Sequence, residues 1–140
     1  MTFYEKRRIN LQITPHFRYD ELSCKCCNRL ITDDLMYRTM NKLERVREAI
    51  GIPLIINSGH RCEKHNREVG GQPNSWHLRF AVDIRTAKPD NLHILFEAIL
   101  LMNYDHKLFN GVGWYWSFVH LDCRPNPFTW DNRTIQAVKR

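Results

Sequence analysis

Five residues near the C-terminal end, Phe118-Val-His-Leu-Asp122, constrain this chain more than any other stretch. Along a strand, successive side chains point to opposite faces, so Val119 and Leu121 can face a core only if His120 and Asp122 share the other side. A second stretch has the same character. Asn57-Ser-Gly-His-Arg61 leads through a polar segment to Ser75-Trp-His-Leu-Arg-Phe-Ala-Val-Asp83, where His77 and Asp83 again stand beside apolar, strand-like residues.

The remaining pattern supplies the elements that would carry these two stretches. Thr32 reads as an N-cap, with Asp33 and Asp34 in the first turn, where the helix dipole favours negative charge. Met36, Met40, Leu43, Val46 and Ile50 then recur at helical spacing until Gly51 ends the run. Pro53-Leu-Ile-Ile56 reads as a short buried strand, and Phe80 to Ile84 as another. Leu92, Leu95, Phe96, Ile99 and Met102 mark a second amphipathic helix. Val112 to Trp116 and Phe118 to Asp122 predict a hairpin turning near Ser117, in which Trp114, Tyr115 and Trp116 pack rather than floor a groove. The tail with Pro125 and Pro127 reads as irregular, anchored by Trp130. This order predicts an α+β domain spanning residues 1–140, a small and mainly antiparallel sheet covered by helices.

A chain of 140 residues with 43% hydrophobic residues can bury its own core without disulfides or structural metals. The net charge of +6 predicts attraction to polyanions. Only Lys6-Arg7-Arg8 forms a basic run, and no basic and aromatic alternation suits base stacking, so no specific nucleic-acid partner is expected. The five cysteines are an odd number, and the N-terminus leads into no apolar leader, which predicts synthesis in a reducing cytoplasm without a signal peptide. Ile94 to Met102, the longest apolar run, contains Glu97 and is about half a membrane span. Cys24 and Cys27 have the spacing of half a zinc knuckle, but Cys62 and Cys123 are isolated in sequence, so free thiols are expected.

A catalytic zinc takes about three His or carboxylate ligands and keeps an open position for water. His77, Asp83 and His120 can supply that set, with Asp122 beside them. Ser58-Gly-His-Arg61, His65-Asn66, Val69-Gly-Gly71, Ser75-Trp-His77, Ala81-Val-Asp83-Ile84 and Phe118-Val-His-Leu-Asp122 together resemble the peptidase M15 family, from about Pro15 to Trp130. The resemblance implies a fold like that of hedgehog and D-Ala-D-Ala peptidases. It also implies a zinc D,D-carboxypeptidase or L-alanyl-D-glutamate endopeptidase acting on peptidoglycan stem peptides, as in bacteriophage endolysins. Zinc would be held by His77, Asp83 and His120, and Arg61, with Ser58 beside it, would bind a substrate carboxylate. A compact, monomeric endolysin of this kind acts on the cell wall after release from the cell.

Two departures from the family pattern stand out. The step from His77 to Asp83 is one residue shorter than in relatives, and Phe80 stands where they carry a glycine bend. Relatives also place Glu or Asp three residues before the last histidine, where this chain has Ser117, leaving Asp122 as the expected proton acceptor. Exchanged roles, with Asp122 on the metal and His120 as base, remain an alternative. So does a module of the same fold that binds metal or wall without turnover.

Overall fold

Met36, Met40, Leu43 and Val46 are buried on one side of a helix that spans Asp34–Ile50. They belong to the main core of the computed structural model, which describes residues 11–133 and so leaves the Lys6-Arg7-Arg8 run outside. In chain order the described elements are β1 (Gln12–Thr14), β2 (Phe17–Arg18), α1 (Tyr19–Leu22), α2 (Asp34–Ile50), β3 (Leu54–Ser58), α3 (Glu63–Glu68), β4 (Val82–Thr86), α4 (Leu92–His106), β5 (Gly111–Trp114), β6 (Val119–Asp122) and β7 (Phe128–Asp131). Short 3-10 turns at Trp76–Leu78 and Pro89–Asn91 precede β4 and α4. The α+β architecture expected from the pattern is present.

The larger sheet has the order β3-β4-β6-β5-β7. All its pairings are antiparallel except β5 with β7. Val82 and Ile84 of β4 and Val119 and Leu121 of β6 are fully buried in one core cluster with the apolar residues of α2 and α4. Pleating therefore turns Asp83, His120 and Asp122 to the other face. Asp83 pairs directly across the strands with His120.

Two expectations are corrected. Asp33, not Thr32, caps α2, because its carboxylate accepts the Met36 amide at 2.9 Å. Gly51 closes the helix in the left-handed conformation, with φ of 64°. The segment before Phe17, which shows no clean sequence period, forms the hairpin of β1 and β2. The proline-flanked tail is not irregular throughout: β7 adds a parallel edge strand, with Phe128 N–H donating to Asn110 C=O at 2.8 Å and Asn132 N–H to Trp114 C=O at 3.0 Å. Pairing with a distant partner strand made this element, and four residues carry too little pattern to announce it.

Phe80 is wholly buried and belongs to the core cluster, so at this position an apolar anchor stands where relatives bend. Phe80→Ala is expected to lower unfolding free energy by about 3–5 kcal/mol, the range for emptying a buried aromatic site, as read by chemical denaturation.

Candidate metal centre

Four segments meet on the sheet face opposite the helices: the end of β3, the Trp76–Leu78 turn, β4 and β6. Ser75 holds the turn by accepting the His77 amide on its hydroxyl at 3.2 Å. The His77 ring donates from Nδ1 to the Gly59 carbonyl, 2.7 Å away, which leaves Nε2 as a lone pair. That Nε2 is buried without a hydrogen-bond partner and lies 3.2 Å from Asp83 Oδ1. An orphaned buried polar atom costs about 1–3 kcal/mol unless something binds it.

His120 faces the same oxygen from the neighbouring strand, with Nδ1 2.9 Å from Asp83 Oδ1. Its Nε2 lies 2.7 Å from Asp122 Oδ2. The two imidazoles meet edge to face, with centroids 5.0 Å apart. Ligand atoms of His77, Asp83 and His120 all lie within 4.8 Å of one another, and all three residues are buried. This donor set fits zinc: two nitrogens and one carboxylate oxygen, with an unsatisfied lone pair among them. Each histidine also has its second nitrogen held by a carbonyl or a carboxylate, the arrangement that orients metal-ligating imidazoles.

The shortened step from His77 to Asp83 does not separate them. His77 sits on a 3-10 turn and Asp83 on a strand, so face alternation within one extended segment never applies to the pair.

Electrostatics follow from the geometry. Burial pushes the Asp83 carboxyl up, but the hydrogen bond from His120 and the two nearby imidazoles outweigh it and hold the group below the usual carboxylate range. For His120, burial opposes the charged form, and Asp122 and Asp83 overcome it, raising the pKa. Asp122 is likewise pushed up by burial and pulled further down by Arg124 and His120.

Asp122 has no free lone pair directed at the cluster. Its Oδ1 accepts from the Arg124 amide at 3.0 Å and Nε at 2.8 Å, while Oδ2 takes Arg124 Nη2 at 2.6 Å and His120. It is wholly buried, and the approach is so close that a Cβ on Gly111 would overlap its carboxylate. Asp122 also lies on the Nε2 side of the His120 ring, whereas Asp83 lies on the Nδ1 side. The residue expected as proton acceptor thus lies against His120 and Arg124, hydrogen-bonded to both.

Arg61 is fixed on three sides, donating from Nε to Ser58 Oγ at 3.0 Å, from Nη1 to Asn66 Oδ1 at 3.2 Å and from Nη2 to Asp83 Oδ2 at 3.5 Å. A guanidinium has five N–H donors, so one on each Nη remains to meet a ligand. Arg124 and Gly111 went unnoticed in the sequence, and Asn66, named only within a motif, and Trp130, read only as an anchor of the tail, were not placed at the site. Trp130 stands 5.0 Å from the His120 ring, and a Cβ on Gly113 would meet its indole. Only the Arg two residues beyond Asp122, on the same strand parity, offered a sequence signal. Trp114 and Tyr115 do pack, against Phe96 and Phe118 with centroids 5.1 and 4.3 Å apart, whereas Trp116 is exposed.

A buried cluster of two histidines and an aspartate, backed by a second carboxylate and an arginine, has the donor set that metallohydrolases use to hold a catalytic metal. A sequence model described as Peptidase M15 matches residues 15–122, and the chain belongs to the peptidase M15 family. That family is zinc-dependent, and membership implies a peptidase. No curated protein matches the chain significantly.

If Asp122 orients His120, Asp122→Asn weakens zinc binding by about 10–100-fold in competition with a chromogenic chelator. Intact affinity with a lost turnover rate would return Asp122 to the role of base. The metal-free protein carries a pH signature as well. A histidine with a raised pKa contributes stability that is complete below its ordinary value and is lost as pH rises through the raised one. Depressed carboxylates contribute above their ordinary values and lose that contribution as pH falls. Denaturation of chelator-treated protein should accordingly show stability falling above about pH 6.5, with Asp122→Asn flattening that limb.

Proposed function

We propose that the protein is a zinc peptidase hydrolysing amide bonds in peptidoglycan stem peptides, with the fold of hedgehog and D-Ala-D-Ala peptidases. It works as a single, monomeric domain of the endolysin type, an endopeptidase rather than a carboxypeptidase. The observation that carries this reading is the orphaned His77 Nε2 converging with Asp83 and His120. His77, Asp83 and His120 are the proposed ligands, and zinc supplies Lewis acidity and a lowered water pKa when bound. Ser58 and Asn66 hold Arg61 so that its remaining N–H donors can take a substrate carboxylate in fork geometry. The net charge of +6 supports attraction to an anionic wall, and among the described residues no helix is long and apolar enough to cross a membrane. Wall attack then follows release from the cytoplasm by a separate agent.

One observation favours the rival reading of a binding module without turnover. Among the described residues, the carboxylates in contact with the cluster are Asp83 and Asp122, and both are committed to other partners. Clearing of a purified cell-wall suspension, measured with zinc and with chelator, decides between them. The peptidase clears it only with metal; no clearing at any zinc concentration leaves the binding module. Arg61→Ala is expected to lower kcat/KM on a stem peptide about 10–100-fold, the worth of a charge-assisted hydrogen bond, with zinc content unchanged.

A further inference from the structure

The cysteines that look scattered in sequence are gathered in space. The Sγ atoms of Cys24, Cys27 and Cys62 lie within 4.8 Å of one another, and the Cys26 thiol, on the same turn, is close enough to that of Cys62 to interact with it. The geometry points to a second metal site, a structural zinc held by the four sulfurs of Cys24, Cys26, Cys27 and Cys62.

The local backbone is built for thiolates. Cys24 begins a tight turn in which Asn28 N–H returns to the Cys24 carbonyl at 2.8 Å and Asn28 takes the left-handed conformation, with φ of 60°. The Cys62 amide donates to Cys24 Sγ at 3.4 Å, and amides of Cys27 and Cys26 turn to the same sulfur. Cys62 Sγ accepts the His65 amide at 3.4 Å. Burial opposes ionisation of Cys24, yet these donors bring its thiol down to about 7. Cys26 and Cys27 are raised, by burial first and then by the neighbouring sulfurs. Several thiolates cannot share this space without a cation, and a divalent ion removes that repulsion.

The dimensions agree. With Zn–S of about 2.3 Å, tetrahedral sulfurs stand roughly 3.8 Å apart, so the three clustered sulfurs need to close by no more than about 1 Å. A disulfide among three mutually close sulfurs would strand the third, whereas four-sulfur ligation uses them all. The odd cysteine is then Cys123, which is buried elsewhere against the Leu108 carbonyl at 3.8 Å. A site closed by four sulfurs has no open position, and its role is to brace. It would tie the 24–29 turn to the segment that carries Ser58, Gly59 and Arg61, which is already hydrogen-bonded to α1 through His60 N–H and Leu22 C=O at 2.8 Å.

Cobalt titration of the full chain, purified under reducing conditions, tests this apart from the peptidase reading. The wild type should take two equivalents, one giving the intense near-ultraviolet charge-transfer band of cobalt thiolates. The double variant His77→Ala, His120→Ala should keep that band and bind one equivalent. Cys24→Ser with Cys27→Ser should lose the band, Cys26→Ser should weaken it, and Cys123→Ser should leave it unchanged. Because the wild type alone is decisive, a variant that fails to fold does not blunt the test. A fully reduced wild type without the band, or a disulfide among these cysteines in freshly isolated protein, overturns the site.

Discussion

Asp83 and His120 face each other across β4 and β6, and the chemistry of the molecule depends on that one buried pair. A carboxylate taken out of water is costly unless charge and hydrogen bonds compensate it. Here one oxygen serves two imidazoles and the other meets Arg61, so the pair fixes where His77 and Arg61 must come. The second nitrogen of each histidine is then held in turn, by Gly59 C=O and by Asp122. What results is a preorganised set of donors on a sheet whose other face is filled by α2 and α4.

The sheet edge contributes as much as its centre. By pairing with β5, β7 brings Trp130 over Gly113 and beside His120, while Gly111 leaves room for the Asp122 carboxylate. Arg124 stands 5.5 Å from the Trp76, Phe128 and Trp130 rings while gripping Asp122. The cluster is thus shielded by aromatic surface on one side and by the peptide backbone of β5 on another. Lower local polarity strengthens each of its ionic contacts.

Departures from a family pattern have to be judged in three dimensions. A missing residue between two ligands would reverse one of them if both lay on a single strand. Because His77 stands on a capped 3-10 turn, the shorter connection is absorbed before β4 begins, and Phe80 uses the freed position to fill the core. At Ser117 the chain carries no carboxylate, and Asp122 on β6 is hydrogen-bonded to Arg124 and His120.

Periodicity made both long helices, the strands around Ile56, Ile84 and Leu121, and the shared face of His120 and Asp122 readable in advance, because repeats of 3.6 and 2 residues are local properties. Family motifs brought out His77, Asp83, His120, Arg61 and Ser58. Hydrogen-bond partners were not readable: only the folded ring of His120 shows Asp83 on one nitrogen and Asp122 on the other. Nor was the gathering of Cys62 with Cys24 and Cys27, 35 positions away at the nearer cysteine, since contacts over such separations are made by chain packing and leave no periodic trace. The sequence by itself determined which residues could do chemistry and which faces they would share; tertiary structure decided which atoms meet, because that depends on strand order and on turns whose geometry no local pattern encodes.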